Sequence, residues 1–116
     1  MNKFFLIGMP AAGKTTAGKF ISKNTNLKLF DLDEEIEKYC GKEIKNIFHE
    51  YGEDHFRKIE NNQLINIVKK YDRFILSLGG GTPCYKNNMD IIKESGISFF
   101  IDRDLEFIIS KIKKNK

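Results

Sequence analysis

Near its start the chain runs through four apolar residues, Phe4-Phe5-Leu6-Ile7, reaches Gly8, and continues Met9-Pro10-Ala11-Ala12-Gly13-Lys14-Thr15. A short apolar run without polar alternation is the pattern of a strand buried on both faces, as in a parallel sheet. Gly8 to Thr15 then fits G-x-x-x-x-G-K-[ST], the phosphate-binding loop that joins such a strand to a helix. Glycines let that backbone turn tightly enough to aim its N–H groups at phosphate oxygens. A helix expected to begin at about Lys14 adds the positive end of its dipole. Lys14 brings a point charge to the β- and γ-phosphates, and the Thr15 hydroxyl is a Mg²⁺ ligand. Ala11, Ala12, Gly13 and Thr16 complete the expected nucleotide-binding set.

The rest of the chain keeps alternating strand and helix patterns. Residues 14–24 read as a helix with Ala17, Phe20 and Ile21 on its inner face. Leu27 to Phe30 form a second strand that ends at Asp31-Leu32-Asp33. Ile36, Tyr39 and Cys40 share a helical face stopped by Gly41. Ile44, Ile47, Phe48 and Tyr51 repeat at helical spacing until Gly52, and residues 53–70 read as a longer helix. Phe74 to Leu76 form a third strand, 87–95 a helix, and Ile97 to Ile101 a fourth strand. A last helix carries Leu105, Ile108, Ile109 and Ile112, with Asp104 as its N-cap. The expected fold is an α/β, P-loop NTPase-type three-layer domain around a central parallel sheet. One domain covers residues 1–116, with no repeat or linker inside it.

Composition removes several alternatives. Cys40 and Cys84 are too few and too far apart for a disulfide scaffold, and they suit a reduced, cytoplasmic protein. His49 and His55 have no ligand-like spacing to either cysteine, which argues against zinc. The apolar run before Gly8 is shorter than the about seven to fifteen residues of a signal-peptide core, and no stretch is long enough to span a membrane. The net charge of +4 suits phosphate ligands as well as nucleic acid. The basic run Lys111, Lys113, Lys114 and Lys116 reads as a solvated last helical turn, so nucleic acid is not an expected partner.

A phosphate loop alone is shared by GTPases, ATPases and small-molecule kinases. No N-K-x-D base-reading motif is present, and no apolar strand ends in the Asp-Glu pair of motor ATPases, so the small kinases are favoured. Asp31 and Asp33 sit at the carboxyl end of the second strand, the edge where open α/β sheets bind ligands. Asp31 can hold Mg²⁺, and Asp33 can bind an acceptor hydroxyl and help take its proton. The same pair also reads as an N-cap. Arg57 and Glu60 are i, i+3 neighbours, so Glu60 can orient Arg57 for bidentate capture of a carboxylate, or the two form a plain surface ion pair. Gly79, Gly80 and Gly81 follow the third strand and allow close backbone approach to a ligand.

Taken together these residues resemble one family, shikimate kinase. The resemblance rests on G-x-x-x-x-G-K-T at Gly8 to Thr15 and D-x-D at Asp31 and Asp33. It also rests on G-E-x-x-F-R-x-x-E at Gly52 to Glu60 and S-x-G-G-G ending at Gly81. It implies transfer of the ATP γ-phosphoryl group to the 3-hydroxyl of shikimate, a step of aromatic amino-acid biosynthesis, with ATP and Mg²⁺ required. It implies that Asp33 binds ring hydroxyls and acts as base, and that Arg57 pairs with the substrate carboxylate. Gly79, Gly80 and Gly81 would line that pocket, and Glu60 would orient Arg57. Lys14 would stabilise the transferred group, while Thr15 and Asp31 would serve Mg²⁺. Phe48 and Phe56 would wall the substrate ring or belong to the core. The working unit is expected to be a monomer.

The family pattern continues past Lys116 with an R-P lid, a second carboxylate-binding Arg, a fifth strand and adenine contacts. The chain is therefore expected to be C-terminally incomplete relative to the family, and the 116 residues alone to bind better than they catalyse. A non-catalytic remnant that binds nucleotide or shikimate, and a related gluconate or nucleotide kinase, are the competing readings.

Overall fold

The computed structural model describes residues 2–8, 11–79, 81–85, 87–101 and 104–115, with the side chains of residues 11–15 left out. Four strands lie parallel: β1 (Lys3–Ile7), β2 (Leu29–Asp31), β3 (Phe74–Leu78) and β4 (Ile97–Phe100). Their order is β2-β3-β1-β4, so the chain crosses over β1 between its third and fourth strands. In parallel sheets that reversal opens a crevice at the carboxyl ends of the strands. Among the described residues, α1 (Ala11–Thr25), α2 (Leu32–Cys40), α3 (Ile44–Lys70) and α4 (Asn88–Ser95) make the crossovers, and α5 (Leu105–Asn115) follows the last strand. A 3₁₀ turn at Thr82–Cys84 lies between β3 and α4.

Strand alternation divides the core into two layers. Phe5, Ile7, Phe30, Phe74, Leu76 and Leu78 pack with Ile36, Ile47, Phe56 and Leu64 from α2 and α3. Phe4, Leu6, Ile75 and Phe99 pack instead with α1 and α5, through Ala17, Ile21, Ile108, Ile109 and Ile112. A sheet apolar on both faces needs helices on both faces, which yields the three expected layers.

The expected elements are present, with shifted edges. β2 starts at Leu29, two residues after the buried Leu27, and takes in Asp31. Phe20 does not join the inner face of α1 and is 41% exposed. The buried stripe there is Ala17, Gly18, Ile21 and Thr25, and at 100° per residue Phe20 lies well to one side of it. Gly52 does interrupt α3: at φ 82° and ψ 171° it takes a conformation that costs a side-chain-bearing residue about 1–3 kcal/mol. The second half of α3 thereby gets its own direction, and it carries Arg57 and Glu60. The Asp104 carboxylate accepts the Glu106 N–H at 3.2 Å, consistent with its expected capping of α5. No described helix is long and apolar enough to cross a membrane.

Candidate functional site

On one side of the sheet the residues suit phosphate. β1 delivers the chain to Gly8, whose φ of +112° is rarely open to other residues. The backbone is helical from Ala11, three residues before the expected start, so Gly13, Lys14, Thr15 and Thr16 lie in the opening turns of α1. Ala11 and Ala12 are strong helix formers, which accounts for the earlier start. The expected roles of the Lys14 and Thr15 side chains, and the position of Gly80, lie outside the described residues.

Asp31 and Ser77 are register partners at the ends of β2 and β3, one step beyond Leu29 and Ile75 on the same face. That face is the one α1 covers. Ser77 Oγ is buried and has no hydrogen-bond partner among the described residues. A buried unsatisfied hydroxyl costs about 1–3 kcal/mol, so it is uncommon without a role. Asp31 is the N-cap of α2: its Oδ1 accepts the N–H groups of Asp33 at 2.9 Å and Glu34 at 3.3 Å. The capping reading of the pair is therefore realised, and it fixes Asp33 in the first turn of α2 beside the strand end.

The opposite layer suits an acidic acceptor. Arg57 Nη1 donates to Glu60 Oε1 at 3.0 Å and Oε2 at 3.2 Å. This is no surface ion pair, because Glu60 is only 2% exposed. Burial removes the water screening that weakens exposed pairs, and it makes the carboxylate depend on its partners. The Arg57 guanidinium also lies 5.4 Å from the centre of the Phe56 ring. Its remaining nitrogens, Nη2 and Nε, donate to none of the described residues and stay available to a ligand.

Gly81 approaches this guanidinium closely. A Cβ there would stand 2.7 Å from Nη2. A cleft of about 190 Å³ opens beside it, lined by Glu53, Asp54, Arg57, Gly81, Cys84 and Tyr85. Phe56 is buried and stacks on the half-buried Phe48 with centroids 4.5 Å apart, both within or against the core. A larger groove near Tyr39, Gln63, Lys70 and Tyr71 sits where α3 ends, toward the amino end of β3 and away from these residues.

Arg57, Glu60 and Gly81 are thus brought together, and Asp31 is joined to Asp33 by its cap. Sequence reasoning quoted Ser77 within the S-x-G-G-G run but gave neither it nor Thr82 a role. Ser77 carried one weak signal, a polar residue inside an apolar strand. Thr82 carried no local signal, and its hydroxyl donates to Glu60 Oε2 at 2.8 Å.

A family model described as shikimate kinase matches residues 10–116. A shikimate kinase of Clostridium botulinum (strain Alaska E43 / Type E3) is 46% identical over 111 residues, covering 96% of this chain and 66% of that protein. One from Flavobacterium psychrophilum is 41% identical over 117 residues, covering 100% of this chain and 68% of that protein. Among solved structures, shikimate kinase from Bacteroides thetaiotaomicron superposes with a TM-score of 0.80 at 36% identity, covering 85% of this chain and 56% of that one. Shikimate kinase from Acinetobacter baumannii in complex with shikimate gives 0.81 at 29% identity, covering 100% and 65%. The chain spans 66% to 68% of the length of these curated relatives.

Proposed function

This chain belongs to the shikimate kinase family, and from that premise we propose that the complete protein transfers the γ-phosphoryl group of ATP to the 3-hydroxyl of shikimate, giving shikimate 3-phosphate and ADP for aromatic amino-acid biosynthesis. Arg57 carries the proposal. Its guanidinium is held from behind by a buried carboxylate and keeps Nη2 and Nε for an anionic ligand. That is the arrangement a planar carboxylate of the acceptor requires.

The other roles follow from position. Asp33, at the strand end, binds ring hydroxyls and accepts the proton released as the 3-hydroxyl attacks. The backbone of Gly79, Gly80 and Gly81 lines the acceptor pocket. Ala11 to Thr16 cradle the phosphates of ATP, with Lys14 neutralising charge on the transferred group. Phosphate binds over the α1 face and the acceptor over the α3 face, so transfer crosses the carboxyl edge of β1 and β3.

Mg²⁺ fits the residues at hand. Asp31 and Ser77, whose hydroxyl has no partner among the described residues, adjoin on the α1 face and supply oxygen donors of the kind a hard cation takes. Thr15, Asp31 and Ser77 would hold it. When bound, the ion offsets phosphate charge during transfer. The free thiols of Cys40 and Cys84 suit the reducing cytoplasm.

The test is ADP release from MgATP by the complete protein, with and without shikimate. Release should depend on shikimate. Arg57→Ala should raise the shikimate KM about 10- to 150-fold, the worth of a charge-assisted hydrogen bond, and leave the ATP KM unchanged. Equal release with and without shikimate would refute the proposal.

A further inference from the structure

The hydrogen bonds behind Arg57 extend beyond Glu60 and close on themselves. Glu60 Oε2 accepts the Thr82 hydroxyl at 2.8 Å. The Thr82 carbonyl accepts Asn88 Nδ2 at 2.9 Å, and Asn88 Oδ1 accepts Asn61 Nδ2 at 2.6 Å. Asn61 is the residue after Glu60 on α3, so the path leaves that helix turn and returns to it. Glu60, Thr82 and Asn88 are all buried.

We propose that Thr82 and Asn88 are positioning residues, which aim Arg57 and join it to Gly79 and Gly81 as one rigid carboxylate-binding unit. This rests on the shikimate kinase reading, because it concerns how that site holds its acceptor. The physical reason lies in Glu60. The last torsion of a glutamate is broad, so a carboxylate held only by one arginine nitrogen can pivot and let the guanidinium swing. A hydroxyl has a single proton, and Thr82 commits it to Oε2. With this second donor on Oε2 beside the shared Arg57 Nη1, Glu60 has one orientation, and Arg57 Nη1 has one place to bind.

Asn88 supplies the second half of the device. It holds the Thr82 carbonyl, while the Thr82 N–H donates to the Gly79 carbonyl at 3.2 Å and the Cys84 N–H to the Gly81 carbonyl at 3.1 Å. The strand end bearing the glycines is therefore hung from the residue that locks Glu60. A site fixed in this way loses less freedom when it takes up its ligand.

The experiment measures shikimate and ATP KM, kcat and melting temperature for the complete protein carrying Thr82→Val, Thr82→Ser or Asn61→Ala. Thr82→Val keeps the shape and removes the donor. It should raise the shikimate KM about 5- to 30-fold, with the ATP KM and kcat little changed. Thr82→Ser should restore the wild-type value. Asn61→Ala opens the cycle at its partly exposed member, should raise the same KM by a smaller factor, and carries the test if Thr82→Val does not fold. With an acceptor whose carboxylate is replaced by hydroxymethyl, Thr82→Val and wild type should be equal. An unchanged shikimate KM in a folded Thr82→Val enzyme overturns the proposal. So does a uniform loss in both KM values, kcat and melting temperature. Either outcome leaves the activity standing, whereas a wild type without shikimate-dependent ADP release defeats the activity itself.

Discussion

A methyl group placed on Gly81 would stand 2.7 Å from Arg57 Nη2, 3.2 Å from Nη1 and 3.3 Å from Cζ. Non-bonded heavy atoms settle at about 3.5–4.0 Å, so the guanidinium would have to retreat by about 1 Å. The backbone offers no objection, because Gly81 sits at φ −85° and ψ −16°, open to any residue. The strain therefore falls on the tip of Arg57. That tip is pinned to Glu60 at 3.0 and 3.2 Å, and a retreat of this size breaks or tilts the pair. The fold has little at stake, since a flexible side chain with 21% of its surface exposed can move aside.

Losing alignment of a charge-assisted hydrogen bond is worth about 1.5–3 kcal/mol, or about 10- to 150-fold in affinity. Gly81→Ala should raise the shikimate KM by that factor in a coupled ADP assay, with the melting temperature close to wild type. Gly79→Ala is the internal control. Its Cβ would meet Thr82 Oγ1 at 3.8 Å, an ordinary contact, and the effect should be far smaller. The reasoning fails if Gly81→Ala binds shikimate as the wild type does, or if Gly79→Ala is the more damaging of the two.

Gly96→Ala should act on the fold and not on the site. Its Cβ would fall 1.9 Å from the Lys3 carbonyl oxygen, where β1 and the turn into β4 meet backbone to backbone. A loss of about 1–3 kcal/mol or more is expected, seen as a lower urea midpoint at constant m-value, and a near-wild-type midpoint would contradict it. Ser77→Ala removes a buried hydroxyl without a partner among the described residues, so the unfolding midpoint should hold or rise. The same variant should need more Mg²⁺ for half-maximal ADP release, and an unaltered Mg²⁺ titration would remove Ser77 from the metal site.

Much of the architecture is written in local patterns. Phe4 to Ile7 and Phe74 to Leu76 announce buried strands because both faces of each are apolar. Gly41 and Gly52 end helical runs where the structure ends or breaks them. Residues that act through neighbours in sequence are equally legible, as with Asp31 capping the turn that holds Asp33, or Arg57 reaching Glu60 one turn away. Phe20 was misplaced because a helical period sets the spacing of a stripe but not where its edges lie.

The sequence by itself determined the strand–helix alternation, the glycine and lysine pattern after β1 and the family resemblance, since each is encoded within a few positions. Only the tertiary structure decided that Asp31 adjoins Ser77, that Gly81 needs room for the Arg57 guanidinium, and that Thr82 and Asn88 close a ring behind it. Those partners lie far apart along the chain, and their side chains meet because β3 and the turn after it run beside β2 and α3. Buried polar groups must find partners wherever the fold brings them, and no local periodicity marks which ones will.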